Sequence, residues 1–555
     1  MCDGGEADGS APNAMKFDLQ LNVTVSYDHV FLDPPNRPHL KTYMVQKCRD
    51  LFRTSVRLNM LRPWDLDVKV SRDSAIALHI QIVQRVVEAI TRGRLLPTAP
   101  MPGSRGLADR LNVNRKTVVL AYDELVAQGW LTTESKRGTF VAAALPKRDA
   151  EISVAKRGAQ SLIHPSSNGV KLYGEPLNWD QDGKRGKGVI DFNDGVPDTR
   201  LIPYNVLSRA FRHALVTTAR TNELGYGDPR GSLLLRQALT RMLNMERGLD
   251  TNPESLCVVR GSQMGIFLAA RILVRPGDCV AFERLSYGPA REAFLACGAK
   301  VFGIDQDEHG LVPQSLERLC RQQRIRAVYV TPHHQFPTTV MMPAERRLRL
   351  LMLAEQFGFA IVEDDYDHEF HFDHRPMLPL ASGDRGGRVI YIGSLSKVLA
   401  PGLRVGYLAA SPDFVNRCAA EIMLIDRQGN TVTELAVAEL MESGELKRHI
   451  RRALRVYEQR RTSAAKVIRA ELSPWLDFDL PAGGLAFWLR LAAGIDSDVF
   501  AEEALSHRVR ILSGTQFSIG KATESGVRLG FASLDESTFN TGLRRLKVGL
   551  SRMRS

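Results

Sequence analysis

The sequence contains few cysteines and no long apolar segment. Its seven cysteines are scattered over 555 residues without a Cys-x-x-Cys pair, so we predict neither a disulfide framework nor a metal site. No apolar run approaches the roughly 18 residues that a transmembrane helix requires. The first ten residues are acidic and glycine-rich and lack the apolar core of a secretory signal. These absences predict a cytoplasmic protein without a membrane partner.

Length and positive charge are what the sequence does have. At 555 residues the chain exceeds one ordinary domain, which has roughly 100–200 residues. Apolar residues make up 44% and charged residues 25%, a balance typical of globular proteins with large cores. Lys and Arg number 74 against 62 Asp and Glu, a net charge of +12. This excess favours a polyanionic partner but does not indicate a fold.

The leader, residues 1–59, carries no sustained helical or strand period. Glycine, serine and aspartate at its start are followed by a proline-rich patch at 33–38. This composition favours a disordered leader, or a mis-annotated start with translation beginning at Met60, over a functional extension.

Residues 60–142 have the pattern of a winged helix-turn-helix domain. A first helix is indicated by apolar residues at helical spacing, namely Ile76, Ile80, Val83, Val87 and Ile90. A short second helix with Leu107 inward is followed by a turn, after which Asn114 is placed to cap a third helix. The inner face of that third helix comprises Val118, Ala121, Tyr122 and Leu125. Two strands, 130–133 and 138–141, then enclose a Glu-Ser-Lys-Arg turn.

This segment is basic where a DNA-binding domain needs positive charge. Residues 60–150 hold 14 Lys and Arg against 9 Asp and Glu, a net charge of +5. In such motifs the recognition helix reaches base edges with its N-terminal turn, and flanking cations contact phosphates. A solvated basic face on a small helical domain is the alternative, but the whole arrangement favours DNA binding. The candidate DNA contacts are Arg105, Arg115, Lys116, Thr117, Lys136 and Arg137.

A linker and a large α/β domain follow. Residues 143–186 are rich in Lys, Arg, Gly, Ser and Asn and lack periodicity, which predicts an interdomain linker. From 187 to 555, strand-like runs such as 279–282 and 360–364 alternate with helical patterns. This alternation predicts a mainly parallel sheet, followed by a smaller C-terminal α+β lobe.

The strongest chemical signal is Lys397, at the end of the run Gly-Ser-Leu-Ser-Lys. A lysine at a strand end suits an imine-forming nucleophile, and pyridoxal phosphate needs such a lysine for its aldehyde. The cofactor also needs an acid at its ring nitrogen, a phenol near its ring oxygen and cations for its phosphate. Asp364 and Tyr366, 33 and 31 residues before the lysine, and Arg404, seven after it, supply these types. Each alone fits a surface salt bridge, but together they predict a pyridoxal phosphate site.

Further sequence blocks give the chain a family resemblance. They are Pro-Gly-Ser-Arg-Gly-Leu-Ala at 102–108, Asn-Arg-Lys-Thr-Val at 114–118, Gly-Tyr-Gly-Asp-Pro-Arg-Gly at 225–231, Gly-Ser-Gln at 261–263 and Glu-Asp-Asp-Tyr at 363–366. With the lysine block, the chain resembles the MocR subfamily of GntR-type transcriptional regulators from about residue 62 onward. The resemblance implies a multi-domain fold, an N-terminal winged helix-turn-helix plus an α/β fold-type I aminotransferase-like domain with a small C-terminal α+β lobe. The chain departs from the family at Thr339, where glycine usually follows the His-Gln-Phe-Pro-Ser/Thr run.

The resemblance also implies roles for individual residues. Lys397 would form the internal aldimine and would be the catalytic residue of any turnover. Asp364 would pair with the ring nitrogen, Tyr366 would hydrogen-bond the ring hydroxyl, and Tyr287 would stack on the ring. Arg528 would bind the α-carboxylate of an amino-acid effector, because a guanidinium forks onto a carboxylate. The phosphate would be held by Ser262, Gln263, Ser394, Ser396 and Arg404, the first two at a helix N-terminus.

Three functions are compatible with these residues. The leading hypothesis is a pyridoxal-phosphate-dependent transcriptional regulator that binds operator DNA as a homodimer and senses an amino acid or amine by aldimine exchange at Lys397. The alternatives are an active aminotransferase with an accessory DNA-binding domain, and a sensor whose only effector is pyridoxal phosphate. The resemblance implies that full transamination is absent or slow. The sequence leaves the effector and the operator open.

Overall fold

The chain divides into two compact units, Met1–Tyr173 and Gly174–Ser555. The computed structural model describes residues 68–146, 188–192, 195–222, 224–372, 377–520 and 525–553. The predicted leader at 1–59 and most of the predicted linker at 143–186 lie outside these ranges. Within the described part of the chain, none of the helices combines the length and the apolar character needed to cross a membrane.

The first unit is a helix-turn-helix followed by a two-stranded wing. Its elements are α1 (Leu78–Thr91), α2 (Ser104–Leu111), α3 (Arg115–Ala127), β1 (Leu131–Glu134) and β2 (Gly138–Val141). The two strands pair antiparallel, with Leu131 opposite Val141. All three helices and both strands contribute side chains to one apolar core. The predicted winged helix-turn-helix is therefore confirmed.

Helix α1 differs in detail from the sequence prediction. It begins at Leu78 and therefore excludes Ile76. Ile80 and Val87 are only half-buried. The buried face is formed by Ile82, Val83, Val86, Ala89 and Ile90. Because α1 packs along α3, it needs a broader apolar face than the single stripe that the i, i+4, i+7 spacing selects.

Two asparagines set the turn before α3. Asn112 adopts a left-handed backbone conformation, with φ of 49°, which asparagine tolerates better than most residues. The side chain of Asn114 caps α3 as predicted, by accepting a hydrogen bond from the Lys116 amide at 2.8 Å. The predicted inner face of α3 is also confirmed, because Val118, Ala121, Tyr122 and Leu125 are all buried.

The second unit is an alternation of strands and helices. Its strands are β3 (Ile190–Asp191), β4 (Leu256–Val259), β5 (Cys279–Glu283), β6 (Lys300–Ile304), β7 (Gln306–Asp307), β8 (Gly310–Leu311), β9 (Ile325–Val330), β10 (Ala360–Asp365), β11 (Val389–Ser394), β12 (Gly406–Ala409), β13 (Leu476–Asp477), β14 (Ala486–Leu491), β15 (Val509–Arg510), β16 (Leu512–Ser513) and β17 (Gly526–Gly530). Its helices are α4 (Tyr204–Arg220), α5 (Leu233–Arg247), α6 (Ser262–Leu273), α7 (Gly288–Ala296), α8 (Pro313–Gln322), α9 (Ala344–Phe357), α10 (Leu380–Gly383), α11 (Pro412–Ile425), α12 (Thr431–Glu442), α13 (Glu445–Leu472), α14 (Ser497–Ser506) and α15 (Glu536–Met553).

A seven-stranded sheet in the order β4-β12-β11-β10-β9-β5-β6 forms the centre of this unit. Strands β11, β10, β9, β5 and β6 run parallel, whereas β12 is antiparallel to both of its neighbours. Apolar cores lie on both faces: Cys257 and Val259 of β4 enter one core, and Leu256 and Val258 enter another. The continuous apolar strands of the sequence reflect this two-sided burial. The prediction of a mainly parallel sheet is confirmed.

The C-terminal part forms a smaller lobe. Its antiparallel sheet has the strand order β13-β14-β17-β16. Helices α13, α14 and α15 pack with this sheet around one apolar core, to which Phe487, Phe500 and Phe539 contribute. Strand β15 pairs in parallel with β3, which ties the start of the unit to the lobe. The predicted small α+β lobe is confirmed.

Candidate functional site

The predicted cofactor residues lie at the edge of the central sheet where β10 and β11 end. Strand β10 ends in Asp364 and Asp365, and β11 leads into the turn that carries Lys397. In the strand register, Asp364 lies beside Ile392 and Asp365 beside Gly393. Because parallel strands present their carboxyl ends at the same edge, ligand sites of α/β proteins form there.

Lys397 and Tyr366 lie against each other at this edge. The side-chain nitrogen of Lys397 is 4.4 Å from the centre of the Tyr366 ring. The ring is buried, and its hydroxyl donates to the main-chain oxygen of His334 at 3.1 Å. Burial raises the pKa of Tyr366 well above its ordinary range. The phenol therefore stays protonated and can donate a hydrogen bond.

Asp364 is a buried carboxyl with one oxygen engaged. Its Oδ2 accepts from the Tyr329 hydroxyl at 2.7 Å, whereas Oδ1 has no hydrogen-bond partner among the described residues. Burial raises the pKa of Asp364 to about 7, although the Tyr329 hydrogen bond and the charge of Lys397 act in the opposite direction. A buried oxygen in this situation fits a cationic N–H donor, which would favour the ionised carboxylate.

The N-terminus of α6 meets the segment after Lys397. Ser262 and Gln263 open the helix, where main-chain N–H groups lack intrahelical acceptors. A Cβ at Gly261 would come within 2.7 Å of Nη2 of Arg404, and its φ of 75° lies in the left-handed region that favours glycine. Arg404 itself donates to the main-chain oxygen of Arg260 at 3.0 Å. The arrangement places a guanidinium beside a helix N-terminus, which suits an anion.

The predicted serines and Gln263 are engaged in part with the protein itself. Ser394 and Ser396 are both buried. The hydroxyl of Ser396 donates to the main-chain oxygen of Val405 at 3.2 Å, and the side-chain amide of Gln263 donates to that of Pro289 at 2.9 Å. These bonds hold the turn and the helix in place. With its side chain engaged, Gln263 can meet a phosphate through its main-chain amide.

Arg528 is a fully buried arginine in β17, only 1% exposed. Its Nη1 donates to the main-chain oxygen of Pro337 at 2.6 Å, and its guanidinium carbon lies 4.5 Å from the centre of the Phe336 ring. A side-chain hydrogen bond also connects it with the Tyr366 hydroxyl. The guanidinium is thus fixed next to the ring that contacts Lys397.

Aromatic side chains surround this group. Tyr287 is half-buried and packs edge-on against Phe336, with ring centres 5.2 Å apart. Phe336 in turn packs edge-on against Phe517 at 5.2 Å and against Tyr366 at 6.1 Å. This apolar wall lowers the local dielectric, so charges inside it interact more strongly than in water.

Two buried residues near the site, Tyr329 and Arg247, are not predicted by the sequence. Tyr329 holds Asp364, as described above. Arg247, at the end of α5, is buried and donates to Tyr407 at 2.7 Å, and it also bonds to Tyr391 and Glu369. These partners come from distant segments of the chain. The one signal in the sequence is therefore an arginine near a helix end among apolar residues.

In the first unit, the predicted DNA contacts lie on α2, α3 and the wing. Arg105 of α2 and both Arg115 and Lys116 of α3 are exposed, and Thr117 is half-buried. The Nε of Arg115 contacts the Ser104 hydroxyl at 3.4 Å. The N-terminal turn of α3 is therefore open for contact, as a recognition helix requires.

The wing tip carries the other two candidates. Lys136 adopts a left-handed backbone conformation, with φ of 65°. Arg137 pairs with Glu134 at 2.5 Å and lies over the Phe140 ring at 5.7 Å. Exposed ion pairs of this kind contribute little free energy, so the pair does not prevent Arg137 from contacting a phosphate.

These features fit pyridoxal phosphate. A lysine amine for the aldehyde, a buried carboxylate oxygen for the ring nitrogen and a basic helix N-terminus for the phosphate are present in one unit. The donor set thus matches the chemistry of the cofactor group by group.

Comparisons with known proteins agree with both units. Residues 78–141 match the bacterial regulatory proteins of the gntR family, and residues 187–546 match aminotransferase class I and II. The probable rhizopine catabolism regulatory protein MocR of Rhizobium meliloti is 30% identical over 480 residues, 86% of this chain and 94% of that protein. The HTH-type transcriptional regulator TauR of Rhodobacter capsulatus is 31% identical over 491 residues, 85% of this chain and 96% of that protein.

Solved structures resemble the second unit. The crystal structure of a multiple substrate aminotransferase from Thermococcus profundus has a TM-score of 0.65 and 28% identity, and the match covers 69% of this chain and 96% of that one. The large domain therefore has the aminotransferase fold and its cofactor, pyridoxal phosphate. With a DNA-binding winged helix of the gntR family ahead of that domain, the chain belongs to the MocR subfamily of GntR-type transcriptional regulators.

Proposed function

We propose that this regulator senses an amino acid or amine at Lys397 and changes its binding to operator DNA in response. The observation that carries the proposal is the convergence of Lys397 and Arg528 on Tyr366. When bound, pyridoxal phosphate supplies an aldehyde carbon at which one amine can replace another. The Lys397 amine would hold that position without effector and would be released when an effector amine takes its place.

The residues around Lys397 divide the remaining work. We assign Asp364 to the protonated ring nitrogen, supported by its open Oδ1 atom. We assign Tyr366 to the ring oxygen and Tyr287 to the face of the ring. The phosphate group is assigned to Ser262, Gln263, Ser394, Ser396 and Arg404, supported by the close approach of Arg404 to Gly261.

Arg528 is the proposed ligand of the effector carboxylate. Its guanidinium is held by Phe336 and Pro337, so little side-chain entropy remains to be lost when a carboxylate binds. Its bond to Tyr366 ties it to the ring that Lys397 contacts. An amino acid would thus be held at both its amine and its carboxylate, whereas a simple amine would be held at one end.

The proposed output is operator binding by a cytoplasmic homodimer. Two winged helices in a symmetric dimer match two half-sites on DNA, and the exposed α3 terminus supports Arg115, Lys116 and Thr117 as contacts, with Arg105, Lys136 and Arg137 beside them. We propose domain limits of 60–142 and 187–555 joined by a linker at 143–186. The matched segments 78–141 and 187–546 support these limits.

The test uses the full chain loaded with pyridoxal phosphate. A DNA fragment is first selected from genomic fragments by the purified protein, and its Kd is then measured with and without each of a panel of amino acids and amines. We expect at least one compound to change both the visible absorption of the bound cofactor and the Kd for DNA. Lys397→Ala should lack the absorption of the lysine-bound cofactor before any amine is added, and it should lose the change in Kd, because no lysine amine is released.

If Lys397→Ala keeps the starting absorption and the Kd response of the parent, the proposal is refuted. If free pyridoxal phosphate alone changes the Kd and no amine does, the cofactor is the effector and the amine-sensing role is wrong. In either case the winged helix would still bind DNA, so the two parts of the proposal are judged separately.

An active aminotransferase is the second candidate function. The complete set of Lys397, Asp364 and Tyr366 favours it, together with the likeness to a multiple substrate aminotransferase. Keto-acid formation from the amino acids in the same panel distinguishes the two. Multiple turnovers per chain would establish the enzyme, whereas a spectral response without keto acid supports sensing.

A further inference from the structure

Behind the cofactor residues, three buried side chains from two neighbouring strand ends form a compact group. His333 lies in the loop after β9, Asp365 ends β10, and His368 lies in the turn that follows. All three are buried, and only 2% of His333 is exposed. Because Asp364 and Asp365 are consecutive in a strand, their side chains point to opposite faces. The group is therefore separate from the carboxyl assigned to the cofactor.

Their ligating atoms lie close enough to share one ion. One such atom from each residue, a ring nitrogen or a carboxylate oxygen, lies within 4.8 Å of the other two. Nδ1 of His368 is 2.8 Å from Oδ2 of Asp365, and the rings of His333 and His368 have centres 4.6 Å apart with a tilt of 32°. Two imidazoles and one carboxylate form a set that divalent transition metals prefer.

The same group contains polar atoms that the protein leaves unsatisfied. Among the described residues, neither ring nitrogen of His333 has a hydrogen-bond partner, and Oδ1 of Asp365 also lacks one. Each such buried atom costs about 1–3 kcal/mol. In a neutral imidazole one ring nitrogen carries a proton, so the other ring nitrogen of His333 and Oδ1 of Asp365 offer two neighbouring lone pairs, which a cation would accept.

The surroundings orient Asp365 as an outer shell orients a metal ligand. Its Oδ2 accepts from the Tyr391 hydroxyl at 2.6 Å and lies 3.9 Å from Nη1 of Arg247. Arg247 is fixed in turn by Tyr407 and Glu369. These bonds hold one carboxylate oxygen and leave Oδ1 for another partner, and such outer contacts commonly support metal sites.

We propose that His333, Asp365 and His368 bind a divalent transition-metal ion, with zinc as the probe. A tetrahedral ion with three protein ligands keeps one position for water. Because the group lies on the strand that also carries Asp364, occupancy stiffens the end of β10 next to the cofactor site. The proposal does not depend on amine sensing or DNA binding.

The test measures metal in the full chain loaded with pyridoxal phosphate. The protein is stripped with a chelator, incubated with Zn²⁺ and desalted, and its zinc is counted by mass spectrometry. Affinity is measured with Co²⁺ by visible absorption. His333→Phe keeps a ring of similar size and removes both nitrogens, and His368→Gln removes a second ligand. The matched control is His449→Gln, because His449 is buried, bonds Val398 at 3.0 Å and has an unpartnered Nδ1 among the described residues.

We expect about one zinc per chain in the parent and in His449→Gln. We expect a loss of affinity of roughly 100-fold or more in His333→Phe and in His368→Gln, because removing a ligand exceeds the 10–100-fold effect of removing its support. No retained zinc in the parent, or equal retention in parent and both variants, would overturn the proposal. Should the variants fail to fold, X-ray absorption at the zinc edge of the parent decides, since a site without two imidazole ligands contradicts it.

Discussion

Lys397 places its side-chain nitrogen 4.4 Å from the centre of the Tyr366 ring. The hydroxyl of the same ring is hydrogen-bonded with the buried guanidinium of Arg528. One side chain thus contacts both the group that would exchange amines and the group that would bind a carboxylate. Replacing Arg528 is therefore expected to affect how a carboxylate is bound, and replacing Lys397 is expected to affect how an amine is bound.

Arg528→Lys should weaken amino-acid effectors without weakening the cofactor. Lysine keeps the positive charge but cannot form two parallel hydrogen bonds to a carboxylate. We expect the Kd of an amino acid to rise roughly 10–100-fold, as for a lost charge-assisted hydrogen bond, and that of the matching decarboxylated amine to change little. Absorption titration measures both. Arg490→Lys, in exposed pairs with Asp477 and Asp479, is the control, and equal losses for acid and amine would contradict the role.

Asp364→Asn should weaken pyridoxal phosphate itself. The amide keeps the shape and the contact with Tyr329 but cannot carry the charge that stabilises a protonated ring nitrogen. We expect the Kd of the cofactor to rise about 10–100-fold, as for loss of a charge-assisted hydrogen bond. Equilibrium dialysis of the stripped protein measures it. Tyr329→Phe removes only the supporting bond at 2.7 Å and should have a smaller effect, so a reversed order would exclude Asp364 as the ring partner.

Arg115→Ala should weaken operator binding by about 1–3 kcal/mol if this side chain reads a base. Arg115 is exposed in the first turn of α3, where recognition helices contact base edges. Arg85→Ala is the control, because Arg85 is exposed on α1 and pairs with Glu88 at 3.0 Å. Fluorescence anisotropy with the selected fragment and with unrelated DNA gives the two affinities. Unchanged specific binding would remove Arg115 from the interface.

Thr339→Gly should stabilise the second unit. Thr339 has φ of 64°, a left-handed conformation that costs a β-branched residue about 1–3 kcal/mol. Glycine removes this cost but loses about 0.5–1 kcal/mol through the freedom of its unfolded chain, so the net gain is about 0–2.5 kcal/mol. Urea unfolding of the stripped protein measures it. Thr338→Gly, which lacks positive φ and loses a bond to Gln335, should instead destabilise.

Glu283→Gln should change how stability depends on pH. Burial raises the pKa of Glu283 from 4.5 to about 7. The folded state therefore binds more protons than the unfolded state between those values, and the stability contributed at this residue falls as pH rises through that window. The neutral amide escapes this cost. At pH 8 we expect the free energy of unfolding of the variant to exceed that of the parent by about 1–3 kcal/mol. At pH 4.5 we expect the two free energies to be nearly equal. Urea unfolding measures both. A difference independent of pH would show that the pKa of Glu283 is the same in the folded and the unfolded protein.

The sequence predicted the elements whose causes are local. The inner face of α3 and the Asn114 cap follow from spacing and from one short side chain. The order of Asp364, Tyr366 and Lys397 along the chain pointed to the cofactor because each stands at the end of an apolar strand. The sequence showed that residue 339 is threonine where the family usually has glycine, but it did not show that this residue has a left-handed backbone conformation.

Contacts between distant segments depend on the order of strands in the sheet. Tyr329 meets Asp364 because β9 and β10 are neighbours, and Arg247 meets Tyr407 across 160 residues of chain. The histidines at 333 and 368 come together for the same reason, because they follow the neighbouring strands β9 and β10. Residue spacing reflects the local preference of one segment. The sequence by itself determined the winged helix, the α/β alternation and the position of the lysine. The tertiary structure decided which buried polar atoms find partners, because burial and strand order are properties of the whole chain.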